Sequence, residues 1–233
     1  MSIAIMQPYI FPYLGYFQLI NAVDDFVFYD DVHFIKRGWI NRNQILVNGN
    51  EFLFSVPLIK ASQNKLINEI EVKLDEKWLV QFYLTLEQNY VHAPYFKETF
   101  QLIKGVFSSE FITISDLAIA SVKLVTEYLG LKTKFDISSI SHPETFGMEK
   151  AERLISICKI NGSHKYINPS GGKDLYNKDY FKSKEISLLF IENDLVSYTQ
   201  FSSKFVKGLS IIDVLMFNSI EETRSLMKNY QLK

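Results

Sequence analysis

Apolar positions in this chain fall into short runs separated by prolines, glycines and polar clusters, and their period changes from element to element. Ile3 to Met6 is a continuous apolar run of strand length. Gly15 to Val23 places Phe17, Leu19, Ile20 and Val23 at spacings that predict a helix, and Asp25 to Tyr29 predicts a second strand. The three together have the length of a βαβ unit. Pro8 and Pro12 fix φ and push the residues before them toward extended geometry, so 7–14 is predicted as a loop. Gly15 would turn that loop into a helix N-terminus, whose free N–H groups favour an anion. Open α/β sheets place ligands at such a loop, at the carboxyl end of a strand.

The pattern continues with a hairpin, Asn41 to Val47 and Glu51 to Val56, turning at Asn48-Gly49-Asn50. Glu69 to Leu74 alternates and predicts a strand. Asp75 is placed to cap a helix over about Glu76 to Asn89, with Trp78, Leu79, Phe82, Leu86 and Tyr90 as its apolar face. A helix from Pro94 to about Phe107 follows, then one opened by Ser115 or Asp116 and ended by Gly130. Lys132 to Ile137 predicts a strand, Met148 to Asn161 a helix ending at Gly162, and Ile186 to Ile191 a last strand. Ser210 caps a further helix with Asp213 at N3, close to a capping box, and Ile220 to Tyr230 closes the chain as a helix. These elements predict an α/β fold with a mainly parallel amino-terminal sheet, a hairpin addition, a helical middle and a carboxyl-terminal α/β segment. We expect one domain over 1–233, with 1–137 and 143–233 as candidate sub-lobes about the polar connector Ser138 to Pro143.

Composition narrows the class. The 233 residues are 47% hydrophobic and 22% charged with net charge −1, and they include 19 Phe and 13 Tyr, enough for a core and an aromatic-lined cleft. The balanced charge gives no reason to expect nucleic acid. One cysteine excludes an internal disulfide framework and a multi-thiolate zinc site. Cys158 lies among Leu154, Ile155 and Ile157 and reads as a small buried hydrophobe. No apolar run approaches the roughly 18 residues of a membrane span. The amino terminus lacks a basic segment followed by a long apolar one, so the expected location is cytoplasmic.

Chemistry-bearing side chains concentrate in two stretches. After the second strand come Asp30, Asp31, His33, Lys36, Arg37, Asn41, Arg42 and Asn43. The cations can grip phosphate or carboxylate, Arg by its bidentate fork, and the Asp pair can hold a hydroxyl, an ammonium or Mg²⁺. His33 has the chemistry of a general base or acid. Adjacent residues of a strand point to opposite faces, so at most one of Asp30 and Asp31 is expected to face a site. The competing reading is a salt-bridged surface loop with Trp39 in the core. The second stretch runs from Tyr166 through Ser170-Gly171-Gly172-Lys173 to Tyr176, flexible backbone plus a cation. It lacks the spacing of a P-loop.

Gln7-Pro8-Tyr9, Phe11 to Phe17, Tyr29 to Phe34, Lys36 to Asn43, Tyr166 to Tyr176 and Leu209 to Asp213 together resemble the WbqC-like family. The resemblance covers essentially the whole chain and is most specific in the first 45 residues. It implies a place in the biosynthesis of O-antigen or other bacterial surface polysaccharide, without fixed catalytic roles. The expected activity is transfer of an acyl or aminoacyl group to the amine of a nucleotide-linked amino sugar, from a donor left open among acyl-CoA, an aminoacyl donor or an ATP/Mg-dependent route. In this picture Lys36, Arg37 and Arg42 hold phosphates, and Gln7, Tyr13 and Tyr16 line sugar or base. Asp31 or His33 deprotonates the amine, and Lys173 neutralises charge on the donor. Gly15, Asp30, Asn41, Asn43, Tyr166, Ser170, Gly171 and Tyr176 complete the candidate binding set. The alternatives are an ATP-dependent amine or amino-acid ligase and a non-enzymatic nucleotide-sugar binding protein. The loop and helix start are also similar to the nucleotide site of the HIGH-motif superfamily, but Tyr13 and Tyr16 stand where its two histidines would be, which counts against adenylation.

Overall fold

A computed structural model describes residues 1–233. The chain opens with β1 (Ser2–Met6), α1 (Leu14–Asn21) and β2 (Asp25–Phe28), the βαβ unit that the apolar pattern predicts. The hairpin β3 (Arg42–Val47) and β4 (Asn50–Ser55) follows, turning at Asn48 and Gly49, both at positive φ. Two-residue strands β5 (Leu58–Ile59) and β6 (Glu71–Val72) pair with each other, so the strand predicted over 69–74 is much shorter than its alternation suggests. The helical middle is α2 (Glu76–Tyr90), α3 (Phe96–Val106) and α4 (Ile114–Tyr128). Asp75 caps α2 by accepting from Trp78 N at 2.8 Å. The cap of α4 is Thr113, in a reciprocal capping box with Asp116, two or three residues earlier than expected.

After β7 (Lys134–Ile137) and the single turn α5 (Ser138–Ser141) come α6 (Lys150–Ile160), β8 (Lys165–Pro169), α7 (Lys178–Ser183) and β9 (Ser187–Asn193). The chain ends in α8 (Ile211–Phe217), α9 (Ile220–Leu226) and β10 (Tyr230–Leu232). The closing helix therefore stops four residues short of Tyr230, and the tail adds an antiparallel edge strand to β9 instead. Ser210 caps α8, but Asp213 forms no capping box, because its carboxylate turns inward to tyrosines.

One six-stranded sheet organises the molecule in the order β10-β9-β8-β1-β2-β7, parallel except for β10. Both ends of the chain contribute to it. Side chains of β1 alternate between its faces: Ile3 and Ile5 pack with Leu154, Ile157 and Cys158 of α6 and Phe181 of α7, whereas Ala4 joins the larger core with α1, α4 and α8. Burying each such Ile, Leu or Phe contributes about 1.5–3 kcal/mol, which is why a sheet covered on both faces reads as apolar runs.

The loop 7–13 is a junction of several elements. Asn43 of β3 donates to Ile10 O at 3.2 Å and Phe11 O at 2.8 Å, and Ser121 of α4 accepts from Phe11 N at 3.1 Å. Ser210 donates to Phe11 O at 2.7 Å, and Ile211 N to Pro12 O at 2.9 Å. These bonds hold Phe11, fully buried, at φ +38°, a conformation that a bulky residue adopts only when its surroundings enforce it.

Candidate functional site

The chain runs from β1 outward to β2 and β7, then returns to the other side of β1 to form β8 and β9. Strand order thus reverses between β1 and β8, and the carboxyl ends there open the crevice in which doubly wound sheets bind ligands. Gln7 leaves β1 at this edge, Tyr29, Asp30 and Asp31 leave β2, Ser138 and Ser139 leave β7, and Ser170 leaves β8.

Because β2 ends at Phe28, Asp30 and Asp31 lie beyond the pleated strand. The expectation that they point to opposite faces therefore fails, and both carboxylates converge on Ser138 Oγ, at 3.0 Å from Asp30 Oδ1 and 2.5 Å from Asp31 Oδ1. The hydroxyl carries one proton, so it donates to one carboxylate at a time. Asp30 is otherwise saturated, accepting from Ser139 N at 3.0 Å, Ser139 Oγ at 2.7 Å and Asn68 Nδ2 at 3.2 Å. Asp31 Oδ2 accepts from Arg153 Nη2 at 2.5 Å, and both side chains are buried. Arg153 also donates from Nε to Thr145 Oγ1 at 3.1 Å, and its guanidinium lies 4.7 Å from the centre of the Tyr29 ring.

Arg153, Ser138, Ser139 and Asn68 are absent from the set read from sequence. Arg153 is buried on α6 immediately before Leu154, Ile155, Ile157 and Cys158, and a charged residue adjoining that apolar run was the available signal. His142, buried beside this cluster, is a second one. Its Nε2 is 3.2 Å from Asn161 Nδ2, which donates, so the ring accepts there and carries its proton on Nδ1, a buried atom without a partner. Burial holds the imidazole below its usual pKa, against the nearby carboxylates of Asp136 and Glu144.

Tyrosines lie around the polar cluster and in the adjoining core. Tyr29 and Tyr176 are half-buried neighbours packed against the α6 and α7 side of the sheet, and burial raises the pKa of both. Tyr9 is pushed up to about 12 by burial and lies 5.6 Å from Tyr16, ring centre to ring centre. Tyr166 is buried, stacked on Phe181, with its hydroxyl 3.3 Å from Asn168 Oδ1. Gln7 is half-buried at the strand end, and Ser170 and Gly171 are exposed. Gly172, between them and Lys173, is needed for close packing: a Cβ there would overlap the Asn168 amide.

The remaining candidates are distributed differently. Tyr16 donates to Gln7 O at 2.9 Å, and Tyr13 lies over Gly15, where a Cβ would overlap the Tyr13 ring and press on Asn193. The first turn of α1 is buried. Asn41 donates to Val56 O at 2.9 Å, Asn43 holds the loop 7–13, and Arg42 folds back to bond Gly38 O at 2.8 Å and Arg37 O. His33, Lys36 and Arg37 are exposed on the loop that continues from Asp31, and Trp39 is exposed beside them, not in the core. Lys173 pairs with Glu192, which also binds Lys233; the two ammonium groups draw the Glu192 carboxyl down to about 2. Cys158 is buried with its thiol pushed up to about 12 by desolvation, so it has no nucleophilic form at neutral pH.

Fold and site together define an α/β protein with a doubly wound, mainly parallel sheet and a buried polar cluster beside half-buried tyrosines at the carboxyl ends of its strands. The chain belongs to the WbqC-like protein family, which matches residues 7–225. It is also similar to "Uncharacterized protein Rv1507c" of Mycobacterium tuberculosis, 29% identical over 220 residues, 93% of each chain. No solved structure matches. No helix is long and apolar enough to cross a membrane.

Proposed function

We propose that the protein is a transferase of bacterial surface-polysaccharide biosynthesis that places an acyl or aminoacyl group on the amine of a nucleotide-linked amino sugar. The observation that carries this reading is the preorganised edge of the sheet at the switch point. There the Asp31–Arg153 pair, locked by Ser138 and Thr145, backs the half-buried Tyr29, with Tyr176 beside it. Aromatic side chains of this kind present flat faces to sugars or bases, with a few placed polar groups to fix orientation. The family's association with polysaccharide gene sets supplies the substrate class.

Within this reading the neutral amine attacks the acyl carbon. The new N–C bond forms as the bond to the donor's leaving group breaks, and the amine's proton passes to a base. His33, exposed and adjacent to the cluster, takes that role. Asp31 acts by holding Arg153 against Tyr29, since its Oδ2 is committed to Arg153 and its Oδ1 shares the Ser138 proton with Asp30. Ligand-induced shifts of melting temperature across amino-sugar nucleotides, CoA thioesters and ATP with Mg²⁺ test the proposal, followed by mass spectrometry of donor mixtures. It predicts stabilisation by an amino-sugar nucleotide and an acylated product that is lost in His33→Ala. Stabilisation by ATP with AMP release would replace it with the ligase reading. Binding of the sugar nucleotide without product under any donor would replace it with a carrier.

A further inference from the structure

Acidic residues are missing from two stretches that fold against each other. The chain contains 26 Asp and Glu, yet 32–47 and 52–68 contain none. Phe34 N bonds Lys65 O at 2.9 Å, Ile67 N bonds Val32 O at 2.9 Å, and Val56 N bonds Asn41 O at 2.7 Å, so the two stretches form one surface. That surface carries Lys36, Arg37, Arg42, Lys60 and Lys65, none of which has a carboxylate partner among the four ion pairs of the molecule. The bordering acids are engaged locally: Glu51 accepts from Gln44, and Glu69 from Leu66 N.

The tip of this surface exposes two large apolar side chains and is held by hydrogen bonds to its own backbone. Ile35 and Trp39 are 51% and 43% exposed, on either side of Lys36 and Arg37. Gly38 N closes the turn onto Ile35 O at 3.1 Å, and Arg37 turns the chain at φ +61°. Arg42 clamps it from below through Gly38 O and Arg37 O, with its guanidinium 5.8 Å from the Trp39 ring centre. A fixed tip that exposes an indole and a branched aliphatic, flanked by unpaired cations, matches the interface of an anionic bilayer. Aromatic rings sit at the headgroup level there, and each Lys or Arg is drawn to the negative surface. Nucleotide phosphates would account for the cations but not for the outward Ile35.

We propose that the 35–39 loop docks the protein on an anionic lipid surface, with Ile35 and Trp39 inserted at the interface and Lys36 and Arg37 facing the headgroups. The loop continues directly from Asp31, so docking would hold the crevice close to the bilayer. The proposal stands apart from the transferase reading, because it needs neither substrate nor turnover.

The test is co-sedimentation of the full chain with vesicles of phosphatidylcholine, alone or with 30 mol% phosphatidylglycerol (about one lipid in three, enough to charge the surface). Fluorescence of a Trp78→Phe variant would be followed in parallel, in which Trp39 is the sole indole. The expected result is binding to phosphatidylglycerol vesicles alone, with a blue shift of Trp39 and weakening as salt rises. Ile35→Ser with Trp39→Ser, and separately Lys36→Glu with Arg37→Glu, should each reduce binding by roughly tenfold or more, from the loss of inserted apolar area or of attraction to the headgroups. All four positions are exposed, so circular dichroism should be unchanged. Absence of binding to phosphatidylglycerol vesicles, equal binding by the variants, or an unshifted Trp39 overturns the proposal. So does a charge-reversal variant that keeps vesicle binding but loses a soluble nucleotide diphosphate, which would assign these cations to the crevice.

Discussion

Arg153 and Asp31, separated by 122 residues in sequence, form a buried ion pair at 2.5 Å that ties α6 to the carboxyl end of β2. Removing one partner leaves an uncompensated charge in a low-dielectric site, so Arg153→Met should lower unfolding free energy by about 3–5 kcal/mol. Asp31→Asn combined with Arg153→Met should cost less than Arg153→Met alone, because no charge is stranded. Urea denaturation of the three variants measures this, and a double mutant as unstable as the charged single mutant would refute it.

Asn43 is the side chain on which the loop 7–13 most depends. Its amide satisfies Ile10 O and shares Phe11 O with Ser210. Asn43→Ala strands at least one buried carbonyl and should cost about 1–3 kcal/mol. The strained φ of Phe11 should relax at the same time, seen as faster amide exchange in residues 10–13 than in β1.

Asp213 is fully buried and accepts from Tyr90 at 2.8 Å, Tyr198 at 2.7 Å and Gln200 at 2.8 Å, linking the 195–206 segment to α2 and α8. Desolvation raises its pKa despite these donors. The native state therefore holds this proton more firmly than the unfolded chain does. Stability from the site is full below the ordinary carboxylate range and is lost as pH climbs through the raised value. Asp213→Asn removes the titration, so its stability relative to the parent should increase as pH rises from about 4 upward. A pH-independent difference in melting temperature would count against this.

His142 has the opposite sign. Burial lowers its pKa, so its contribution is present above the ordinary imidazole value and is lost as pH falls through the lower folded value. Protonation also removes the acceptor that Asn161 uses. His142→Gln keeps an acceptor and cannot titrate. It should lose less stability than the parent when both are melted at pH 7.5 and then at pH 5, and parallel losses would exclude the mechanism.

Legibility followed the range of each interaction. β1, α1, β2 and the hairpin were readable because local period, proline and turn chemistry specify them, and the Asp75 cap and the Gly130 and Gly162 helix ends were equally local. The misread elements are those where a distant partner prevailed. Asp213 has the spacing of a capping residue, but Tyr90 and Tyr198 take its carboxylate. Tail residues continuing a helical pattern were captured by the free edge of β9.

By itself the sequence determined that the chain is α/β, that its opening unit is βαβ, and that polar chemistry gathers after β2, since these depend on neighbours a few residues apart. Only the tertiary structure decided which of those polar groups share a site. Pairing of β7 with β2 brings α5 to the end of β2, and the crossover that returns the chain across β1 brings α6 there, converging Ser138 and Arg153 on Asp30 and Asp31 while Arg42, Asn41 and Asn43 are spent holding loops. Side chains 107 to 122 residues away have no signature in local periodicity. They meet because a parallel sheet orders its strands by crossover, not by sequence.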